Sequence, residues 1–105
     1  MEFSWDHSKS EENLRLRGFD FEFASLVFQG TTLEREDSRS DYGEKRVIAV
    51  GVADGVELTV VFTDRPRLGG GLERRIISAR RSNRHERQAY QASLEAQRPP
   101  GEGPG

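Results

Sequence analysis

The sequence predicts an α+β fold: a small antiparallel sheet with two short N-terminal helices and one C-terminal helix. Two kinds of signal carry that reading. Two runs of alternating and β-branched residues, Lys45 to Val52 and Val56 to Thr63, meet at Asp54-Gly55, a dipeptide suited to the positive backbone angles of a tight hairpin turn. Helix-capping patterns then bracket polar stretches near both ends of the chain.

In chain order, Glu2-Phe3-Ser4-Trp5 alternates polar and aromatic residues, so a short strand with Phe3 and Trp5 on one face opens the fold. Ser8 and Glu11 have capping-box spacing and Gly18 supplies a stop, which predicts a first helix over Lys9 to Arg17. A second short helix follows Asp20 as N-cap, with Phe23, Ala24, Val27 and Phe28 along an apolar stripe that ends at Gly30. Thr31 to Gly43 is polar and reads as a weak strand and an exposed loop with little legible chemistry.

In the hairpin strands, Ile48, Val50 and Val52 share one face, as do Leu58, Val60 and Phe62; these bulky faces are expected to meet the helices. Arg65 to Gly71 reads as a hinge-like tip and not as a phosphate-binding loop, because no Gly-Lys-Ser/Thr follows its glycines. A last strand spans Glu73 to Ala79. Asn83 with Glu86 opens a helix that runs to about Gln97 and docks through Tyr90 and Leu94. Residues 1–97 are expected to form the domain, and 98–105, which include PPGEGPG, a flexible tail.

Composition narrows the function classes. The chain has no cysteine, which excludes disulfides, thiolate metal sites and cysteine nucleophiles. Histidine and carboxylate spacings offer no metal site, and no cofactor is expected. No membrane span or signal peptide is legible, so a soluble, cytoplasmic protein is expected. A small chain with only 33% apolar residues is expected to lean on a binding partner for stability.

The net charge of −2 conceals a division: residues 1 to 64 carry 14 acidic and 7 basic side chains, residues 65 to 105 carry 4 and 9. Arg74, Arg75, Arg80, Arg81, Arg84 and Arg87 lie close together in sequence with no lysine among them, which suits planar, bidentate recognition of phosphate. The bland alternative is a solvated face of surface ion pairs with acids such as Glu73 or Glu86.

The run Arg75-Ile76-Ile77-Ser78-Ala79-Arg80-Arg81, followed by Asn83, Glu86, Arg87 and Tyr90, resembles the closing signature of the BrnT toxins. Phe3, Trp5 and Asp6 resemble that family's F-x-W-D opening, and Asn13 with Gly18 its N-x-x-K-H-G turn. Phe21, Glu22, Ala24, Val27 and Phe28 resemble its F-E-x-A-x-x-V-F helix, and Glu44 with Arg46 its G-E-x-R strand entry. Where the family shows Lys-His before the glycine this chain has Leu16 and Arg17, which keeps a basic group and removes an imidazole. The resemblance implies a RelE-like fold, ribonuclease activity, and a cognate BrnA-like antitoxin with a ribbon-helix-helix part, operator DNA being met only through that antitoxin.

Metal-free cleavage of RNA by its own 2′-hydroxyl needs charge stabilisation at phosphorus and proton movement at two oxygens. Arginine supplies the first and, with a pKa above about 12, serves the second poorly. Arg75 and Arg80, backed by Arg46 and Arg81, are the candidates for charge. Simple strand alternation puts Arg75 and Arg80 on opposite faces, so only a strand end or a bulge would let both reach one phosphate. Glu44, Tyr90, His7 and His85 are the candidates for proton transfer. Arg74, Arg81, Arg84, Arg87, Lys45 and Arg17 are the candidates for holding RNA. A non-catalytic, arginine-rich module acting in a repressor complex is the alternative; a purely structural adaptor docking an acidic protein is a third.

Overall fold

The computed structural model describes residues 1–99; of the expected tail, 100–105 lie outside the described residues. The elements are β1 (Glu2–Trp5), α1 (His7–Arg17), α2 (Phe21–Ala24) continuing as a 3-10 turn (Ser25–Gln29), β2 (Leu33–Glu36), β3 (Val47–Ala53), β4 (Val56–Pro66), β5 (Leu72–Arg81) and α3 (Arg84–Ala96). The mixed α+β class therefore stands. One sheet carries the strands in the order β1-β5-β4-β3-β2. Consecutive strands from β2 to β5 pair antiparallel, while β1 lies parallel to β5. A four-residue strand gives no sequence signal of direction, and β1 takes the edge that the β2–β5 meander leaves open.

Local chemistry explains the element ends. The β3–β4 turn holds Asp54 at φ 46° and Gly55 at φ 79°, the two positive angles such a turn requires. Helix α1 starts two residues before its expected position because Asp6 is the cap, its Oδ1 accepting from the Lys9 N–H at 3.1 Å. Glu11 instead pairs with His7 at 3.1 Å, so the Ser8–Glu11 box does not form. Gly18 ends the helix in the left-handed region at φ 86°, its N–H donating to Leu14 O. Asp20 caps α2 through the Phe23 N–H at 2.9 Å. Asn83 and Glu86 cap α3 reciprocally, each side chain accepting from the other's N–H at 2.8 Å.

The sheet is covered on both faces. Phe19, Phe21, Ala24 and Val27 pack with Leu58, Val60, Ile76 and Ala79 on one face, joined by Phe3, Trp5 and Phe28. On β3 the residues turned to this side are Ala49, Gly51 and Ala53, not the bulky set, since Ala49 pairs with Val60 and Gly51 with Leu58. The reason is close approach: a Cβ at Gly51 would stand 3.0 Å from both Val27 Cβ and Thr32 Cγ2, so the 3-10 turn rests directly on the strand. Ile48 and Val50 are buried on the opposite face with Thr59, Val61 and Thr63. Helix α3 covers that side, with buried Tyr90 donating its hydroxyl to Thr31 O at 2.8 Å.

Helix α1 has a different attachment. It buries Ser10 and Asn13 in place of apolar residues. Ser10 Oγ accepts from the Phe21 N–H at 3.0 Å, and Asn13 Nδ2 donates to Phe19 O at 2.9 Å. These bonds satisfy the chain at the entry to α2 and hold α1 beside β5.

Candidate active site

Strand β5 does not keep simple alternation. Val61 pairs with Ser78 but Phe62 pairs with Ile76, so Ile77 is an extra residue in the ladder, a β-bulge. Thr59 is then opposite Arg80 and Thr63 opposite Arg75. Thr59, Val61 and Thr63 share one face of β4, so the bulge brings Arg75, Ser78 and Arg80 to that same face. Arg74 and Arg81, each adjacent in sequence to one of these arginines, are turned to the other side.

The loop between β2 and β3 closes over this face. Thr63 Oγ1 donates to Lys45 O at 2.8 Å, and the Asp37 N–H donates to Arg46 O at 2.8 Å, which fixes both ends of the loop. Glu44 and Arg46 are thereby set beside Arg75, lining with Asp6, Lys9 and Arg65 a small cavity of about 100 Å³. A larger cleft of about 490 Å³ adjoins it, lined by Lys9, Asn13, Arg17, Ile77, Ser78 and Arg80 among others. Lys9 and Ile77 line both.

The charges are ordered by pairing. Glu44 accepts from Arg65 Nη2 at 3.1 Å and from Arg46 Nε at 3.2 Å. Hydrogen bonding from Arg65, joined by Arg46 and opposed by burial, holds the Glu44 carboxyl below the usual carboxylate range. Arg46 also lies over the Tyr42 ring, 4.0 Å from its centroid. With Glu44 engaged by two arginines, Arg75 has no ion-pair partner among the described residues. Arg80 is forked onto Glu86 at 2.7 and 2.8 Å. That bond, with the Asn83 N–H, carries the Glu86 carboxyl down to about 2 and raises the Arg80 guanidinium.

The remaining candidates sit elsewhere. Arg74 forks onto Asp64 at 2.8 and 2.9 Å and lies 4.0 Å from the Phe62 ring centroid and 4.7 Å from that of Phe28, a packed position on the opposite face. Arg81 and Arg87 border a separate surface hollow with Glu57 and Ser82, where Arg87 Nη1 donates to Ser82 O at 2.8 Å. Arg84 and Lys45 are exposed, the first opening α3 and the second within the loop. Arg17 lines the larger cleft from the last turn of α1. Tyr90 is buried and bonded, and burial raises its hydroxyl pKa, with Glu57 contributing, so it acts as a core residue. His7 lies on the exposed surface against Glu11, and His85 is exposed on α3.

Sequence reading passed over two members of the site. Lys9 lines both cavities and Arg65 the smaller one, while Arg39 and Tyr42 brace the adjoining loop. Arg39 forks onto the buried Asp37 at 2.8 Å, Tyr42 donates to the same carboxylate at 3.3 Å, and together they hold it well below its ordinary range. No periodicity marks Lys9 and Arg65, because the packing that brings them together is tertiary.

Among the described residues no group of three or more histidine and carboxylate side chains could hold a metal ion, and no helix is long and apolar enough to cross a membrane. No curated protein matches the chain. A family model described as the ribonuclease toxin BrnT of a type II toxin–antitoxin system matches residues 5–86, a span that runs from Trp5 through α1, the whole β2–β5 meander and the Arg80–Glu86 pair. The chain belongs to the BrnT family of ribonuclease toxins.

Proposed function

We propose that this toxin cleaves RNA without a metal ion, using the face of β5 that carries Arg75 and Arg80. The single observation that carries the reading is the Ile77 bulge, which turns both guanidinium groups toward one side of the sheet next to Arg46, Arg65 and Lys9. In the reaction the 2′-oxygen bonds to phosphorus, the bond from phosphorus to the 5′-oxygen breaks, and a 2′,3′-cyclic phosphate and a free 5′-hydroxyl result. Arg75 and Arg80 meet the charge that grows on the non-bridging oxygens. Glu44, ionised and engaged by two arginines, positions Arg46 and Arg65 and is a weak base. The 2′-hydroxyl proton therefore leaves to hydroxide or water, and the 5′-oxygen takes its proton from solvent, so rate acceleration comes from positioning and electrostatics.

The toxin's partner is a cognate antitoxin of the BrnA type whose acidic segment covers this arginine surface, with operator DNA bound through the antitoxin's ribbon-helix-helix part, in the cytoplasm. Charge complementarity supports that pairing. Purified protein incubated with RNA in EDTA is expected to leave 2′,3′-cyclic phosphate ends; intact RNA at generous protein concentration overturns the reading. One observation favours the competing view of a non-catalytic module in a repressor complex: neither histidine lines the two cavities. That view predicts RNA binding with no cleavage in the same assay.

A further inference from the structure

Strand β1 pairs with β5 only over Glu73–Ile76. From Ile77 to Arg81 the outer edge of β5 has no strand beside it, and among the described residues no backbone group of another element bonds to that edge. A strand edge left open in this way presents unpaired N–H groups. Here the open edge is flanked by α1, and the space between them is the cleft of about 490 Å³. Its cations come from three places: Lys9 and Arg17, two turns apart on α1, and Arg80 on the strand. Neither Lys9 nor Arg17 has an ion-pair partner among the described residues, although Glu12 stands on the rim. The cleft opens toward the smaller cavity through Lys9 and Ile77.

We propose that this cleft binds the sugar–phosphate backbone of the RNA strand beside the cleaved linkage, with Lys9 at the junction and Arg17 at the far end. The inference rests on the ribonuclease reading for its substrate and adds a second binding site to it. Two adjoining cavities lined by cations and sharing a lysine suit successive phosphates of one strand, whereas adding a peptide strand to β5 would require the edge to be free of α1. Lys9 and Arg17 then supply affinity and strand register, while Arg75 in the smaller cavity and Arg80 on the wall of the cleft act on the bond that breaks.

The test uses 2′-O-methyl oligonucleotides, which cannot be cut, of two and eight nucleotides, with affinity measured across a salt series for the full chain. The octamer is expected to bind the wild type more tightly than the dimer. The double substitution Lys9→Met and Arg17→Gln removes that advantage, weakens the octamer about tenfold and lowers its salt slope by about 1.4, the share of two phosphate contacts on a single strand. A control with Arg15→Gln and Arg35→Gln removes the same charge from outside the cleft and binds as the wild type does. Equal loss in the control, or octamer binding unchanged by Lys9→Met and Arg17→Gln, overturns the proposal while leaving cleavage to stand. Retained binding with the expected loss, alongside no cut in unmodified RNA, supports the cleft and overturns the ribonuclease reading. Preferential binding of a polyglutamate peptide, lost in the same double variant, assigns the cleft to protein and overturns the proposal.

Discussion

The Arg80 guanidinium grips the Glu86 carboxylate with two parallel bonds, Nη1 to Oε1 at 2.7 Å and Nη2 to Oε2 at 2.8 Å, and the same carboxylate caps α3. One acid thus ties strand β5 to the start of the last helix. Arg80 is thereby held on the wall of the cleft with both Nη atoms engaged by Glu86.

That link predicts an acid-sensitive component of stability. The Glu86 carboxyl falls to about 2 in the folded protein. A depressed carboxylate stabilises the fold fully above its unfolded pKa of about 4.3 and loses that contribution as pH falls toward 2. Glu86→Gln keeps an acceptor for the Asn83 N–H and removes the charge. Urea unfolding is expected to show the variant about 1–2 kcal/mol less stable at pH 7, a figure reduced for solvent screening of half-exposed Arg80. The gap should close between pH 4 and pH 2, to about a few tenths of a kcal/mol. A gap that stays constant with pH contradicts the assignment.

The bulge predicts that neighbouring arginines behave oppositely. Arg75→Ala and Arg80→Ala are each expected to lower kcat by about 10²-fold or more, in the range found when one transition-state donor is removed. Arg81→Ala, on the far side of the sheet, is expected to change it by less than about threefold. Arg74→Ala is expected to show its effect in stability, about 1–3 kcal/mol, because its side chain is packed on Phe28 and Phe62 and leaves Asp64 unpaired. Single-turnover cleavage and thermal unfolding of the four variants measure both quantities. A large kcat loss in Arg81→Ala with none in Arg80→Ala reverses the assignment of faces.

Gly51 carries the packing of the first helical layer. Substitution by alanine puts a methyl group 3.0 Å from Val27 Cβ and Thr32 Cγ2 and 3.3 Å from Val27 O, so the 3-10 turn must move. Overpacking of this kind costs about 1–3 kcal/mol. Gly51→Ala is expected to lower the urea midpoint accordingly. An unchanged midpoint means that the turn shifts freely, and the close approach then has no structural importance.

These features separate what was legible in the sequence from what was not. Asp54-Gly55, Asp20, Gly18 and the Asn83–Glu86 box act over a few residues, and each was readable because its chemistry is local. The inward face of β3 was not readable, since Ile48 and Val50 outweigh Ala49 and Gly51 in any hydrophobic pattern. Two covered faces, together with a turn that demands small residues beneath it, put the bulky sets of β3 and β4 on opposite sides of the sheet, where Ile48 and Val50 meet helix α3 instead of the N-terminal helices. The parity of Arg75 and Arg80 depended on a bulge at Ile77, whose side chain is as strand-like as its neighbours. Lys9 and Arg65 come to the site because α1 and the end of β4 both meet β5 there, and their spacing in sequence carries no trace of it.

The placement of the titratable groups makes a last prediction, about the pH dependence of cleavage. His7 is on the exposed surface of α1 with Glu11, His85 is exposed on α3, and neither lines the two cavities. Arginine stays protonated throughout the accessible range. The Glu44 carboxyl is held down by Arg65 and Arg46, so it remains ionised at every pH near neutrality. Attack by the 2′-oxygen without a resident base gains from each tenfold rise in hydroxide, so log kcat/KM is expected to climb with pH between 6 and 9 with no plateau near the histidine range of about 6.5. A protein that used either imidazole would instead show a bend there, lost in His7→Ala or His85→Ala. Glu44→Gln tests the third group: it is expected to lower the rate about tenfold or more by releasing Arg46 and Arg65, and to leave the slope of the profile unchanged. A changed slope would make Glu44 the base after all.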